Sequence, residues 1–183
     1  MAAPVPHVCE HIVQFYDAES ELIGALANYV GTGLRAGERA VLIATHAHLR
    51  ALEKRLVGNG HDVAAARQQG AYLPLNAAET LSRFMVDGRP DPQRFLATLE
   101  PVIRPPGGPP RPLRAFGEMV AILWAEGNEN GALELEGLWN ELIAREKFQL
   151  FCAYPMPRFR RESARPAYER VCALHSRLIP ALA

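Results

Sequence analysis

Five short runs rich in β-branched and aromatic residues are separated along the chain by stretches of helical periodicity, and that alternation specifies a parallel sheet covered by helices. The first run is His11-Ile12-Val13-Gln14-Phe15-Tyr16, and the second is the almost wholly apolar Ala40-Val41-Leu42-Ile43-Ala44, which suits a strand buried on both faces. The third, Ala71-Tyr72-Leu73-Pro74-Leu75, contains a proline and is expected at an edge or a bulge. Leu113-Arg114-Ala115-Phe116 and Phe148-Gln149-Leu150-Phe151-Cys152-Ala153-Tyr154 complete the set.

Between them, Leu22, Ile23, Leu26 and Val30 share a helical face expected to end at Gly31 and Gly33, and Leu49, Leu52 and Leu56 share another that stops at Gly58. Asn76 with Glu79 reads as a capping box before Leu81, Phe84 and Met85, and Asp91-Pro92 starts a helix through Phe95, Leu99, Val102 and Ile103. Helices are also predicted over Met119 to Ala125 and from about Asn128 through Trp139 and Ile143, with a last helix carrying Val171, Leu174 and Leu178. The fold class expected is an α/β three-layer sandwich with a mainly parallel sheet of five strands or slightly more.

At 183 residues and 49% hydrophobic content the chain can bury one sizeable core, so the exposed Pro105 to Pro110 run is a loop inside one domain. A formal charge of +0 supplies no field for collecting polyanions, which disfavours direct nucleic-acid binding. No apolar run is long enough for a membrane, and the opening MAAPVPH lacks the features of a secretory leader, so a cytoplasmic location is expected. Three cysteines without C-x-x-C spacing give neither a disulfide framework nor a cysteine-based zinc signature. Cys9-x-His11 and His46-x-His48 each offer two donors with no third adjacent, so no metal or cofactor is expected.

In an open parallel sheet, ligands bind at the carboxyl ends of the strands. The residues leaving those ends are Tyr16-Asp17, Thr45-His46, Asn76, Gly117-Glu118 and Tyr154-Pro155. Glu118 stands out, because a carboxylate after a buried strand and before an apolar helix needs a partner, unless the amino end of its own helix stabilises it. Asn76 and Thr45 read first as helix caps, and Tyr16 as a core aromatic with its hydroxyl near the surface.

Gly31-Thr32-Gly33 and Gly37 follow a helix and precede a strand, the reverse of the order that cradles phosphate, and no serine elbow occurs. An enzyme is therefore the weaker hypothesis. Arg158-Phe159-Arg160-Arg161 with Arg165 forms a local basic cluster that either grips an acidic partner or simply solvates the lead into the last helix. That helix is expected to pack on its own sheet or to face a partner.

Several segments, in this order, resemble the MEDS family, a sensory domain named after methanogens, methylotrophs and the dichloromethane-responsive regulator. They are His11 to Tyr16, Gly33-Leu34-Arg35-Ala36-Gly37-Glu38, Val41 to Thr45, Ala77 to Leu81, Phe116-Gly117-Glu118-Met119, Leu138-Trp139-Asn140-Glu141-Leu142 and Cys152-Ala153-Tyr154-Pro155. His46 and Asn76 depart from the family pattern, which usually has proline and aspartate there. The resemblance implies a RecA-like or circadian-clock-ATPase-like scaffold without its phosphate loop, over residues 8–157. Residues 1–7 are then a disordered or extended lead and 158–183 a C-terminal helix.

It further implies a sensor of bacterial signal transduction, expected here to stand alone, that binds a small hydrocarbon derivative without catalysis. Signalling would pass to a separate kinase or transcription regulator, or through a homodimer. Ligand-site residues expected on this basis are His11, Tyr16, Glu118, Trp124, Asn140, Cys152 and Tyr154, with Glu118 and Tyr154 as polar contacts in one apolar pocket, and Thr45, His46 and Asn76 join them as residues at the strand exits. The rival readings are a protein-interaction module with a vestigial pocket and a degenerate nucleotide-binding enzyme.

Overall fold

A computed structural model describes residues 9–106 and 111–179. The elements run β1 (His11–Tyr16), α1 (Glu19–Arg35), β2 (Arg39–Ala44), α2 (His46–Gly58), α3 (Val63–Gln68), β3 (Tyr72–Asn76) and α4 (Ala77–Ser82). There follow β4 (Met85–Val86), β5 (Arg89–Pro90), α5 (Pro92–Ile103), β6 (Leu113–Gly117), α6 (Met119–Ala125), α7 (Glu129–Glu146), β7 (Gln149–Pro155), α8 (Arg165–Ala173) and β8 (Arg177–Ile179). Six strands form one all-parallel sheet in the order β3-β2-β6-β7-β1-β8.

Alternation along each strand sends side chains to two cores. Val13, Phe15, Val41, Ile43, Ala115, Leu150, Cys152 and Tyr154 meet α4 to α8 on one face. Ile12, Tyr16, Leu42, Phe116 and Phe151 meet α1 to α3 on the other. The α/β sandwich expected from the alternation is therefore present, with Pro74 on the edge strand β3. Asn76, Asp91 and Asn128 each accept a hydrogen bond from the backbone N–H three residues on, at 2.9, 2.8 and 2.9 Å, and so set the starts of α4, α5 and α7.

Four expectations are corrected. The helix through Leu22 does not end at Gly31 and Gly33 but runs to Arg35, with the turn at Gly37, whose φ is +77°. Both glycines instead admit close neighbours: a Cβ on Gly31 would lie 2.6 Å from the His61 ring and one on Gly33 2.8 Å from Arg114. The helix after Asn76 stops at Ser82, and Met85 belongs to a β4–β5 hairpin closed by Asp87-Gly88, both at positive φ. The segment after residue 158 is not one long helix. The helix α8 ends at Ala173, and Leu178 lies in β8, which pairs with β1 and makes a sixth strand. Val171 is fully buried and packs on its own sheet, but with Leu178 in β8 the residues Val171, Leu174 and Leu178 do not share one helical stripe.

No described helix is long and apolar enough to cross a membrane. The expectations for residues 1–7 and for the centre of the proline loop lie outside the described residues.

Candidate functional site

The chain leaves β2 through α2 toward β3 on one side, and leaves β6 through α6 and α7 toward β7 on the other. Its helices depart to opposite faces of the sheet, so the carboxyl ends of β2 and β6 enclose the topological switch point, where open α/β sheets place ligands. Glu118 sits there. Its backbone N–H donates to the Ile43 carbonyl at 2.9 Å, tying the exit of β6 to β2. One carboxylate oxygen accepts from the Thr45 N–H at 2.7 Å and the other lies 2.7 Å from His48 Nδ1.

Glu118 makes no side-chain cap to its own helix, so of the two readings open from the sequence the paired one holds. Thr45 in turn caps α2 by accepting from the His48 N–H at 3.3 Å. Burial, followed by the charges of Glu118 and Glu19, pushes the Tyr16 hydroxyl up to about 12, which places Tyr16 in the field of the same carboxylate.

His48 was missed by the sequence reading, which chose His46; His46 is exposed, whereas His48 is buried. The available signal was helical spacing, since His48 stands four residues before Leu52 and eight before Leu56 on the buried face of α2. The hydrogen bond to Glu118 raises the His48 pKa above 6.5 against the opposing effect of burial, with the Glu118 and Glu19 charges adding to the rise. A proton held more tightly when folded stabilises the fold fully below 6.5, and this contribution disappears as pH rises through the raised folded value. The destabilisation caused by His48→Gln is accordingly expected to be largest in mildly acidic buffer and to shrink in alkaline buffer. Urea titrations of both proteins across pH check this, and a gap that widens toward alkaline pH would contradict it.

A second polar group lies on the opposite face of the sheet, beneath β1 and β7, where α7, α8 and the turn into β8 close over it. Its centre is Glu136 of α7, which is 0% exposed. Tyr154 OH donates to Glu136 Oε1 at 2.7 Å, His175 Nε2 stands 3.4 Å from the same oxygen, and His11 Nε2 stands 3.2 Å from Oε2. Cys152 Sγ is 3.5 Å from Glu136 Oε2 and 3.4 Å from His11 Nε2. Asn140, one turn further along α7, contacts His11 Nδ1 at 2.9 Å. Burial pushes the Glu136 carboxyl up, yet the His11 hydrogen bond and the His175 and His11 charges bring it below the usual range. Burial, then the Glu136 charge, pushes both the Cys152 thiol and the Tyr154 hydroxyl well up.

The residues singled out from the sequence thus divide rather than share one pocket. Tyr16, Thr45 and Glu118 meet at the switch point; His11, Asn140, Cys152 and Tyr154 meet around Glu136. Trp124 joins neither, packing edge-on to Tyr154 with ring centroids 5.6 Å apart and against Phe159 at 4.9 Å. Asn76 is engaged as a cap. The basic cluster is dispersed: Phe159 is buried, Arg160 pairs with Asp17 at 2.6 Å and Arg165 with Glu169 at 3.0 Å. An open groove of about 510 Å³ between the hairpin and α7 is lined by Arg89, Asp91, Glu134 and Leu138 among others, and it touches neither polar group. It is a surface cleft with no buried polar side chain aimed into it.

Glu136 and His175 were also missed. Glu136 falls at helical spacing with Ala132, Trp139 and Ile143, and a carboxylate on such a face was the available signal. His175 had none, because it follows the end of α8 and reaches the group only through the β8 pairing. A search of curated proteins returns no significant match. A family profile, described as the methanogen/methylotroph, DcmR sensory domain, matches residues 10–175. That span runs from the start of β1 through α8 and includes every residue of both polar groups, and on it the chain belongs to the MEDS family of sensory domains.

Proposed function

We infer that this sensory domain binds a small hydrocarbon derivative with a hydrogen-bonding head group at the switch point between β2 and β6, and that it does so without chemistry. The observation carrying this reading is the Glu118 carboxylate, 6% exposed and held by the Thr45 N–H and His48 at the place where sheets of this topology take ligands. Both of its oxygens are engaged, so Glu118 orients His48 and leaves Tyr16 OH and His48 Nε2 to meet a ligand. The latter is 3.8 Å from Glu19, a side chain 80% exposed at the rim. Binding there would bear directly on the starts of α2 and α6, which lie on opposite faces, and so bias how the two layers sit on the sheet.

A thermal-shift screen of short alcohols, halides and amines tests the reading, since a ligand that binds only the folded state raises the melting temperature. At least one compound is expected to stabilise the wild type at millimolar concentration and to lose most of that effect in Glu118→Gln. If no compound does so, or if the effect is unchanged in Glu118→Gln, the assignment is wrong.

A further inference from the structure

The group around Glu136 takes no part in that reading, and its hydrogen bonds do more than neutralise a buried carboxylate. Asn140 Nδ2 donates to the Leu174 carbonyl at 2.9 Å, which turns Asn140 Oδ1 toward His11 Nδ1 at 2.9 Å. An amide oxygen only accepts, so His11 Nδ1 carries the hydrogen and His11 Nε2 faces Glu136 and Cys152. His175 Nδ1 likewise donates to the Val171 carbonyl at 2.7 Å, and His175 Nε2, in a side chain 1% exposed, has no hydrogen-bond partner.

Both imidazoles therefore point Nε2 at one centre while their other nitrogens are locked by acceptors outside it, the arrangement that orients metal-bound histidines. Without a cation the arrangement is poorly satisfied. A neutral His175 sets a lone pair against a carboxylate oxygen, while protonating both rings buries two imidazoliums whose centroids are 4.0 Å apart.

One divalent ion relieves both conflicts. A tetrahedral zinc site has bonds of about 2.0 Å to nitrogen or oxygen and about 2.3 Å to sulfur, which sets its ligand-to-ligand edges at roughly 3.3 to 3.6 Å. The separations here are 3.2 Å for His11 Nε2 to Glu136 Oε2, 3.4 Å for His11 Nε2 to Cys152 and 3.5 Å for Cys152 to Glu136 Oε2, while His175 Nε2 lies 3.4 Å from the other carboxylate oxygen, Oε1. All four ligand atoms lie within 4.8 Å of one another. A thiolate and a carboxylate would offset the two positive charges of the ion, leaving the buried site neutral.

We propose that His11, Glu136, Cys152 and His175 form a closed, four-ligand site for one zinc-class divalent transition ion. Four protein ligands with no open position make it a site that holds the fold together, joining β1, α7, β7 and the turn into β8. Its burial means that the ion enters as the chain folds, with the Cys152 thiol proton released to solvent on coordination. This departs from the expectation of no metal, which rested on the spacing of neighbouring residues, whereas these four ligands come from four separate segments.

The test refolds the full chain with Co²⁺ as the spectroscopic probe and measures Zn²⁺ in the protein as purified. The expected result is close to one ion per chain, a thiolate-to-cobalt charge-transfer band, and a melting temperature that rises with added Zn²⁺ and falls with chelator. The band should persist in Cys9→Ser/Cys172→Ser, where Cys152 is the remaining thiol, and vanish in Cys152→Ala. Asn140→Leu, which removes only the acceptor behind His11, should weaken cobalt binding about 10- to 100-fold. Absence of the band in Cys9→Ser/Cys172→Ser overturns the proposal whether or not Cys152→Ala folds. So does a melting temperature indifferent to Zn²⁺ and chelator.

Discussion

Glu136→Ala is expected to cost about 3–5 kcal/mol of stability, measured as the loss in urea unfolding free energy under metal-free conditions, because it removes one side of a buried charged network and strands the other. The stranded groups are the Tyr154 hydroxyl, which loses its 2.7 Å acceptor, and His11, whose Nε2 lies 3.2 Å from the carboxylate. None can turn to water, since Glu136, Cys152 and Tyr154 are 0% exposed and His11 is 3% exposed. Glu136→Gln keeps an oxygen to accept from Tyr154 but loses the charge, so its cost should fall between wild type and alanine. A loss below about 1 kcal/mol for Glu136→Ala would mean that the network relaxes or is solvated. Chelating the protein first keeps this measurement separate from metal binding.

The parts of the fold fixed by local chemistry were legible in the sequence. The caps at Asn76 and Asp91, the strand β2 buried on both faces and the edge proline Pro74 each follow from local backbone and burial needs that neighbouring residues meet. Features that depend on distant partners were not. Gly31 and Gly33 look like helix terminators until His61 and Arg114 are seen against them, and β8 is too short to announce itself without β1 beside it.

The same division runs through the site. Glu118 could be singled out because its environment is set by the strand before it and the helix after it. Its partner histidine could not be chosen from His46 and His48 without helical phase. The second group was half visible, with His11, Asn140, Cys152 and Tyr154 named but placed in the wrong company. The residue that gathers them, Glu136, was hidden on an otherwise apolar face.

Trp139→Ala should be the most damaging substitution in the apolar core, at about 3–5 kcal/mol, because a fully buried indole leaves a cavity that its neighbours cannot fill. Trp139 packs edge-on to Phe95 with centroids 5.2 Å apart and toward Phe148 at 6.4 Å, so its loss opens the layer between α5, α7 and β7. Trp139 Nε1 is buried with no hydrogen-bond partner, a standing cost that the substitution also removes. Trp139→Phe separates the two contributions, since it keeps most of the packing and deletes the unsatisfied N–H, and its net cost should not exceed about 2 kcal/mol. The difference between the two variants in urea unfolding measures what the ring contributes by packing alone. Equal losses for phenylalanine and alanine would show instead that the indole N–H finds a partner in solution, such as a bound water. In that event Trp139 would be a polar anchor of α7 on the sheet, and the apolar account of this core layer would fail.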